Sequence, residues 1–102
     1  MIHVIATIEL RPGRREEFLT VFRDNLAAVR AEDGCIEYGP ALDADTGIAS
    51  QTLIGPDKVM VIEKWESVEA LKAHAVAPHM QAYRATTKDW VLNTEIRVLE
   101  PA

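Results

Sequence analysis

The chain has 102 residues, 48% of them hydrophobic, and its 11 lysines and arginines against 16 acidic residues leave a net charge of −5. That length fits a single domain over residues 1–102, and the interspersed charge, without a basic stripe, argues against nucleic acid and anionic membranes as partners. Cys35 has no second cysteine to pair with, no apolar run nears the roughly 20 residues of a membrane helix, and the start lacks a signal-peptide pattern, so the expectation is a soluble cytoplasmic protein.

Residues 2–10 alternate, with Ile2, Val4, Ala6, Ile8 and Leu10 on one face and His3, Ile5, Thr7 and Glu9 on the other. Period two means a strand. Its second face is only lightly polar, which suits a sheet covered on both sides. Pro12-Gly13 is a turn. Residues 14–32 then read as one helix, with a stripe of Phe18, Phe22, Leu26 and Val29 widened by Leu19 and Val21. Gly34 marks its end. A second strand runs from Cys35 to Asp43, interrupted by Gly39-Pro40, so it belongs at an edge, a bulge or a bend. The pattern does not say which face Tyr38 takes.

Residues 44–57 are long for a hairpin loop and too apolar in the middle for a free linker. They read as an ordered excursion that packs on a partner subunit or on a pocket mouth. The third strand, Lys58 to Glu66, carries Val59, Val61, Glu63 and Trp65 on one face. Ser67 caps a short helix, and Pro78 suits the first position of another, which carries Val76, Met80, Tyr83, Thr87 and Trp90 at helical spacing. Residues 91–99 return to a strand. The order β-α-β-β-α(α)-β suggests an antiparallel sheet with helices on one face, the split βαβ arrangement. A two-fold partner is the simplest cover for the free face.

Chemistry concentrates between Glu63 and His79. Glu63 and Trp65 share the apolar strand face, so Glu63 either pairs with a cation (Lys72, Arg84 or a histidine) or has its pKa raised. Trp65 is core or the wall of a flat-ligand slot. His74 ends one helix and His79 opens the next. A helix break between them removes the i, i+4 geometry of a helical zinc pair, and no other metal motif appears. His74 is a helix C-terminal hydrogen-bond donor or a proton-transfer group, since histidine titrates near neutral pH. No phosphate loop or nucleophile elbow is present. Cys35 has no reason to be a thiolate.

The run Pro12-Gly13, Phe18, Glu32-Asp33-Gly34-Cys35, Tyr38, Glu63-Lys64-Trp65-Glu66-Ser67, Ala70-Leu71, His74 and Pro78-His79 resembles the antibiotic biosynthesis monooxygenase family, which includes quinol monooxygenases. The likeness extends from Val4 to about Tyr83. It implies an α+β, ferredoxin-like βαββαβ subunit, and a homodimer whose sheets form a joint α+β barrel. It also implies oxygenation of a quinol or of a polycyclic phenol- or anthrone-like aromatic by O₂, with no metal, flavin or other cofactor. On this resemblance Trp65 walls the slot, His74 or His79 manages the proton, and Glu63 tunes the histidine. Tyr38, Phe22, His79, Met80 and Tyr83 complete the substrate-binding set. Haem-degrading relatives resemble the fold but carry a first-strand asparagine where this chain has Ile8. The characterised antibiotic-pathway enzyme has an asparagine four residues before its tryptophan, where this chain has Val61.

Three other readings follow. One is a non-catalytic barrel that binds an aromatic or haem, with His79 near the place of the haem ligand. The second is a haem-degrading monooxygenase. The third is an isomerase of phosphorylated sugars, which demands an anion site, whereas Lys72, Arg84 and Lys88 look scattered over helical faces.

Overall fold

The alternation at the start of the chain becomes β1 (Ile2–Leu10), with its odd positions half-buried and its even positions buried. A computed structural model describes all residues, 1–102. After β1 come α1 (Arg15–Asp24), α2 (Leu26–Arg30), β2 (Cys35–Ala41), β3 (Lys58–Trp65), α3 (Val68–Ala75), α4 (Pro78–Thr87) and β4 (Val91–Leu99). The four strands form one antiparallel sheet in the order β2-β3-β1-β4. This is the expected ferredoxin-like α+β arrangement. No helix is long and apolar enough to cross a membrane.

The helices cover one face of the sheet. Ile2, Val4, Ala6, Ile8 and Leu10 meet Val59, Val61 and Trp65 there, under Phe18, Leu19, Phe22, Val29 and Met80. Each such side chain contributes about 1.5–3 kcal/mol by leaving water. Register sets the neighbours of Glu63: Val4 lies across from it on β1 and Tyr38 on β2.

The structure departs from the sequence reading in four places. The helix expected over 14–32 is two helices meeting at Asn25. Asn25 N–H bonds back three residues to Phe22 O, and its side-chain amide reaches Met80 Sδ. An asparagine that bonds sideways competes with the helical ladder. The second strand stops at Ala41, and a bulge between Cys35 and Glu37 turns Ile36 outward. Pro40 is tolerated because β2 is an edge strand. Val76 and Trp90 lie outside α4: Val76 is exposed, and Trp90 packs on the core from the turn after the helix. Finally, the loop before β3 touches no pocket wall of the site below. It is tied by internal bonds, with the Asp43 carboxylate accepting from Ile54 and Gly55 N–H and Gln51 donating to Ala44 O, and by Arg15 and Gly13 N–H groups donating to Gly55 O and the Asp57 carboxylate. Its Ile48 and Leu53 project into solvent.

The subunit exposes 6450 Å², whereas a monomer of this mass is expected to expose about 5,700 Å². The radius of gyration is 14.0 Å, against about 12.8 Å for a compact chain of this length. Exposed apolar side chains include Ile96, Val98 and Leu99 on β4, Ile48 and Leu53 in the loop before β3 and Ile62 on the outer sheet face, where Ile5 and Met60 are partly covered.

Gly34, with φ +82, turns the chain from α2 into β2, and a Cβ there would lie 2.6 Å from Ala70 Cβ. Gly13 has a similar φ, +79, in open space. Gly13→Ala is therefore expected to cost about 1–2 kcal/mol, the left-handed backbone term. Gly34→Ala carries an added clash and should cost roughly 3 kcal/mol or more. Urea unfolding of the two variants side by side checks this, and equal midpoints would contradict the packing argument.

Candidate active site

A cavity of about 720 Å³ lies between the sheet and the pair α3 and α4, within the usual size of a small-molecule site. Val4, Ala6 and Ile8 of β1 and Val61 of β3 form its floor, and Phe22, Met80 and Tyr83 face them. It runs from Tyr38 on β2 to Thr94 and Ile96 on β4. That is three inter-strand steps, or about 14 Å. The Tyr38 end is buried and the β4 end is exposed.

At the buried end the sheet presents Glu63 and α3 presents His74, each 6% exposed. Ser67 starts α3 by accepting from Ala70 N–H, and seven residues later the helix delivers His74 over Trp65, with ring centroids 4.7 Å apart. His74 Nδ1 lies 2.8 Å from Glu32 Oε2, and His79 Nε2 lies 2.8 Å from the same oxygen. A carboxylate only accepts, so both imidazoles present N–H groups to it. This assigns the His74 tautomer: Nδ1 carries the proton. Nε2 of His74 has no protein hydrogen-bond partner, and no buried polar side-chain atom is left unsatisfied, so Nε2 is open to the cavity.

Glu32 reaches this position because Gly34 packs on α3. The Gly34 carbonyl accepts from Glu66 N–H at 2.8 Å, which presses the α2–β2 turn against the helix that carries His74. Glu63 is held differently. Its Oε1 accepts from Trp65 Nε1 at 2.9 Å, and it makes no ion pair with Lys72, Arg84 or any other cation. Burial raises its pKa, opposed by the indole N–H and by the charge of His74. Burial also pushes the phenols of Tyr38 and Tyr83 upward, so both stay neutral donors. The same cause, ahead of the charges of Glu32 and Glu63, raises Cys35, in line with its reading as an inert thiol.

Of the expected site residues, the cavity brings together His74, Glu63, Tyr38, Phe22, Met80 and Tyr83. Trp65 is not a slot wall. It is fully buried and stands behind Glu63, so its area belongs to the core and its N–H to the carboxylate. His79 does not line the cavity either. Its Nε2 bonds to Glu32 instead. The carboxylate that touches the histidines is Glu32, not Glu63. Lys72, Arg84 and Lys88, which look scattered in the sequence, all reach this one cavity. No group of three or more His, Cys, Asp or Glu is placed to hold a metal ion. A carboxylate beside a glycine turn reads as surface. Only two histidines in need of an acceptor hinted at Glu32.

Comparison with known proteins agrees with this architecture. A family model described as antibiotic biosynthesis monooxygenase matches residues 1–86. The Escherichia coli (strain K12) protein described as "Probable quinol monooxygenase YgiN" is 41% identical over 103 residues, covering 99% of this chain and 98% of that one. Among solved structures, Rv0793 from Mycobacterium tuberculosis superposes with a TM-score of 0.78 at 28% identity, over 99% of this chain and 94% of that one. PA3566 from Pseudomonas aeruginosa gives 0.80 at 26% identity, over 99% and 93%.

The raised pKa of Glu63 has a stability consequence. Between the ordinary carboxylate range and the raised value, the folded state holds a proton that the unfolded state has released, so stability falls as pH rises through that window. Glu63→Gln removes this loss. Its melting temperature should gain on the parent protein as pH increases from about 4 to about 7, and a gap independent of pH would contradict the burial assigned to Glu63.

Proposed function

The chain belongs to the antibiotic biosynthesis monooxygenase family, and from that premise we propose that it oxidises a quinol, or a polycyclic phenol- or anthrone-like aromatic, with O₂. The observation that carries this reading is His74: an imidazole on the wall of an apolar cavity, its Nδ1–H held by Glu32 and its Nε2 lone pair open. The name of the Escherichia coli relative supports the quinol class.

The chemistry needs little machinery. His74 Nε2 takes the hydroxyl proton of the bound ring, and the imidazolium is stabilised by the Glu32 carboxylate. The resulting quinolate is a strong reductant. It gives one electron to O₂, the radical pair recombines as a C–O bond, and the hydroperoxide loses water. One oxygen atom stays on the ring as a hydroxyquinone, and the other leaves in H₂O. Tyr38 and Tyr83, kept neutral, donate to the oxygen that gains charge. His79, on the far side of Glu32 and 29% exposed, donates to the same oxygen and fixes the carboxylate from the solvent side.

Oxygen uptake with menadiol, above the autoxidation blank, tests this. His74→Ala should lower kcat/KM by about 10²-fold or more, and an unchanged rate would overturn the assignment. Trp65→Phe keeps an aromatic ring behind the cavity but loses the bond to Glu63 and some packing volume, so it should cost several-fold less than His74→Ala. Glu32→Gln should reduce kcat far more than it changes KM. In ¹⁵N spectra it should release His74 into a mixture of tautomers, a signature that a purely structural role would not move.

The reading extends to a homodimer through the outer face of the sheet, with residues 1–102 acting as one domain in a reducing, cytoplasmic setting that suits the free Cys35. Ile5 and Ile62 pair at the centre of that face, and the ion pairs Lys64–Glu37 and Arg97–Glu95 flank it. Ile62→Glu should convert a dimer to a monomer by light scattering. A parent protein that is already monomeric would end this part of the reading.

A further inference from the structure

The charged lining of the cavity divides by exposure. Glu63 is its only acidic residue and is buried, whereas Lys72 from α3, Arg84 from α4 and Lys88 just past the end of α4 are exposed and so lie at its rim. None of the three cations takes part in an ion pair. The chain as a whole has 16 acidic and 11 basic side chains, whereas this lining has three cations against one carboxylate, the reverse of the overall balance. Arg84 and Lys88, the residue that ends α4, are four apart and lie on one side of that helix end. The Arg84 Nη2 donates to Ala75 O at 2.6 Å, which braces the guanidinium between α4 and the end of α3 and leaves its other N–H groups free.

An anion entering this cavity is attracted at the rim, whereas the buried, largely apolar end disfavours any charge. A neutral hydroxyl group is the better guest for the buried end, where His74 Nε2 accepts and Tyr38 donates. We propose that the substrate is an aromatic carboxylate: a flat ring system with its oxidisable hydroxyl against His74 and, on the opposite edge, a carboxylate seated among Lys72, Arg84 and Lys88. The roughly 14 Å between β2 and β4 accommodates two or three fused rings in that orientation. The apolar floor holds the ring by area alone, and the rim supplies direction: it prevents the ring from binding with its hydroxyl outward. Only the identity of the hydroxyl as the reacting group rests on the monooxygenase reading; the anion seat does not.

Binding of two unreactive probes separates the two ideas. 2-Naphthoate and its neutral isostere 2-naphthamide are titrated by calorimetry, and menadiol turnover is measured in parallel. The expected result is that naphthoate binds at least tenfold more tightly, and that the triple variant Lys72→Gln, Arg84→Gln, Lys88→Gln brings the two within twofold. The preference should also shrink in the parent protein as salt rises from about 0.02 M to about 0.5 M, a readout that needs no variant to fold. Equal affinities of the parent protein for the two probes, or a preference that survives both high salt and the triple substitution, overturn the anion seat even if menadiol is turned over. A salt-sensitive preference for naphthoate without any menadiol turnover keeps the seat and removes the quinol reading instead.

Discussion

Glu32 Oε2 accepts from two imidazoles at 2.8 Å each, and much of the site's order follows from that shared oxygen. It joins three segments: the turn after α2, the end of α3 and the start of α4. It also decides which nitrogen of His74 faces the cavity, because a carboxylate leaves no choice about where the proton sits. Half-buried charge-assisted hydrogen bonds of this kind are worth about twice neutral ones, so the constellation is rigid where chemistry needs a fixed lone pair. The close seat of Gly34 on Ala70 is the steric condition for it: a larger residue would lift the turn and take Glu32 out of reach.

The second carboxylate works by the opposite logic. Glu63 has no cation, one indole donor and a largely apolar surrounding, and its pKa rises for that reason. Two carboxylates near one histidine thus differ in character. One is paired and holds the ring; the other is desolvated and sets the polarity of the cavity's buried end. Trp65, hidden from the cavity, acts through its bond to Glu63 and its contact with the His74 ring. Together with the cationic rim, this arrangement makes the pocket directional rather than simply apolar.

The same sheet serves two covers. Its inner face is filled by helices over β1 and β3 and left open over β4, which creates the cavity's exposed end. Its outer face has an apolar centre between ion pairs. The subunit exposes more surface than the scaling law gives for a compact monomer of this mass.

The strands at both ends, the period-3.6 stripes, Ser67 as a cap and Pro78 at a helix start were all legible in the sequence, because each is a local property of spacing or backbone chemistry. So was the placing of Glu63 on the buried face with Val59 and Val61, which strict alternation dictates. Three things were not. The Asn25 break depended on a bond to Met80, the outward turn of Ile36 on a bulge, and the roles of Glu32, His79 and the cations Lys72, Arg84 and Lys88 on which elements meet. Linear order determines what each residue is and which way its own strand or helix turns it. Only packing between distant elements decides which carboxylate meets which imidazole, since contacts at 2.8 Å between residues 42 and 47 positions apart are set by how whole helices and turns settle on the sheet.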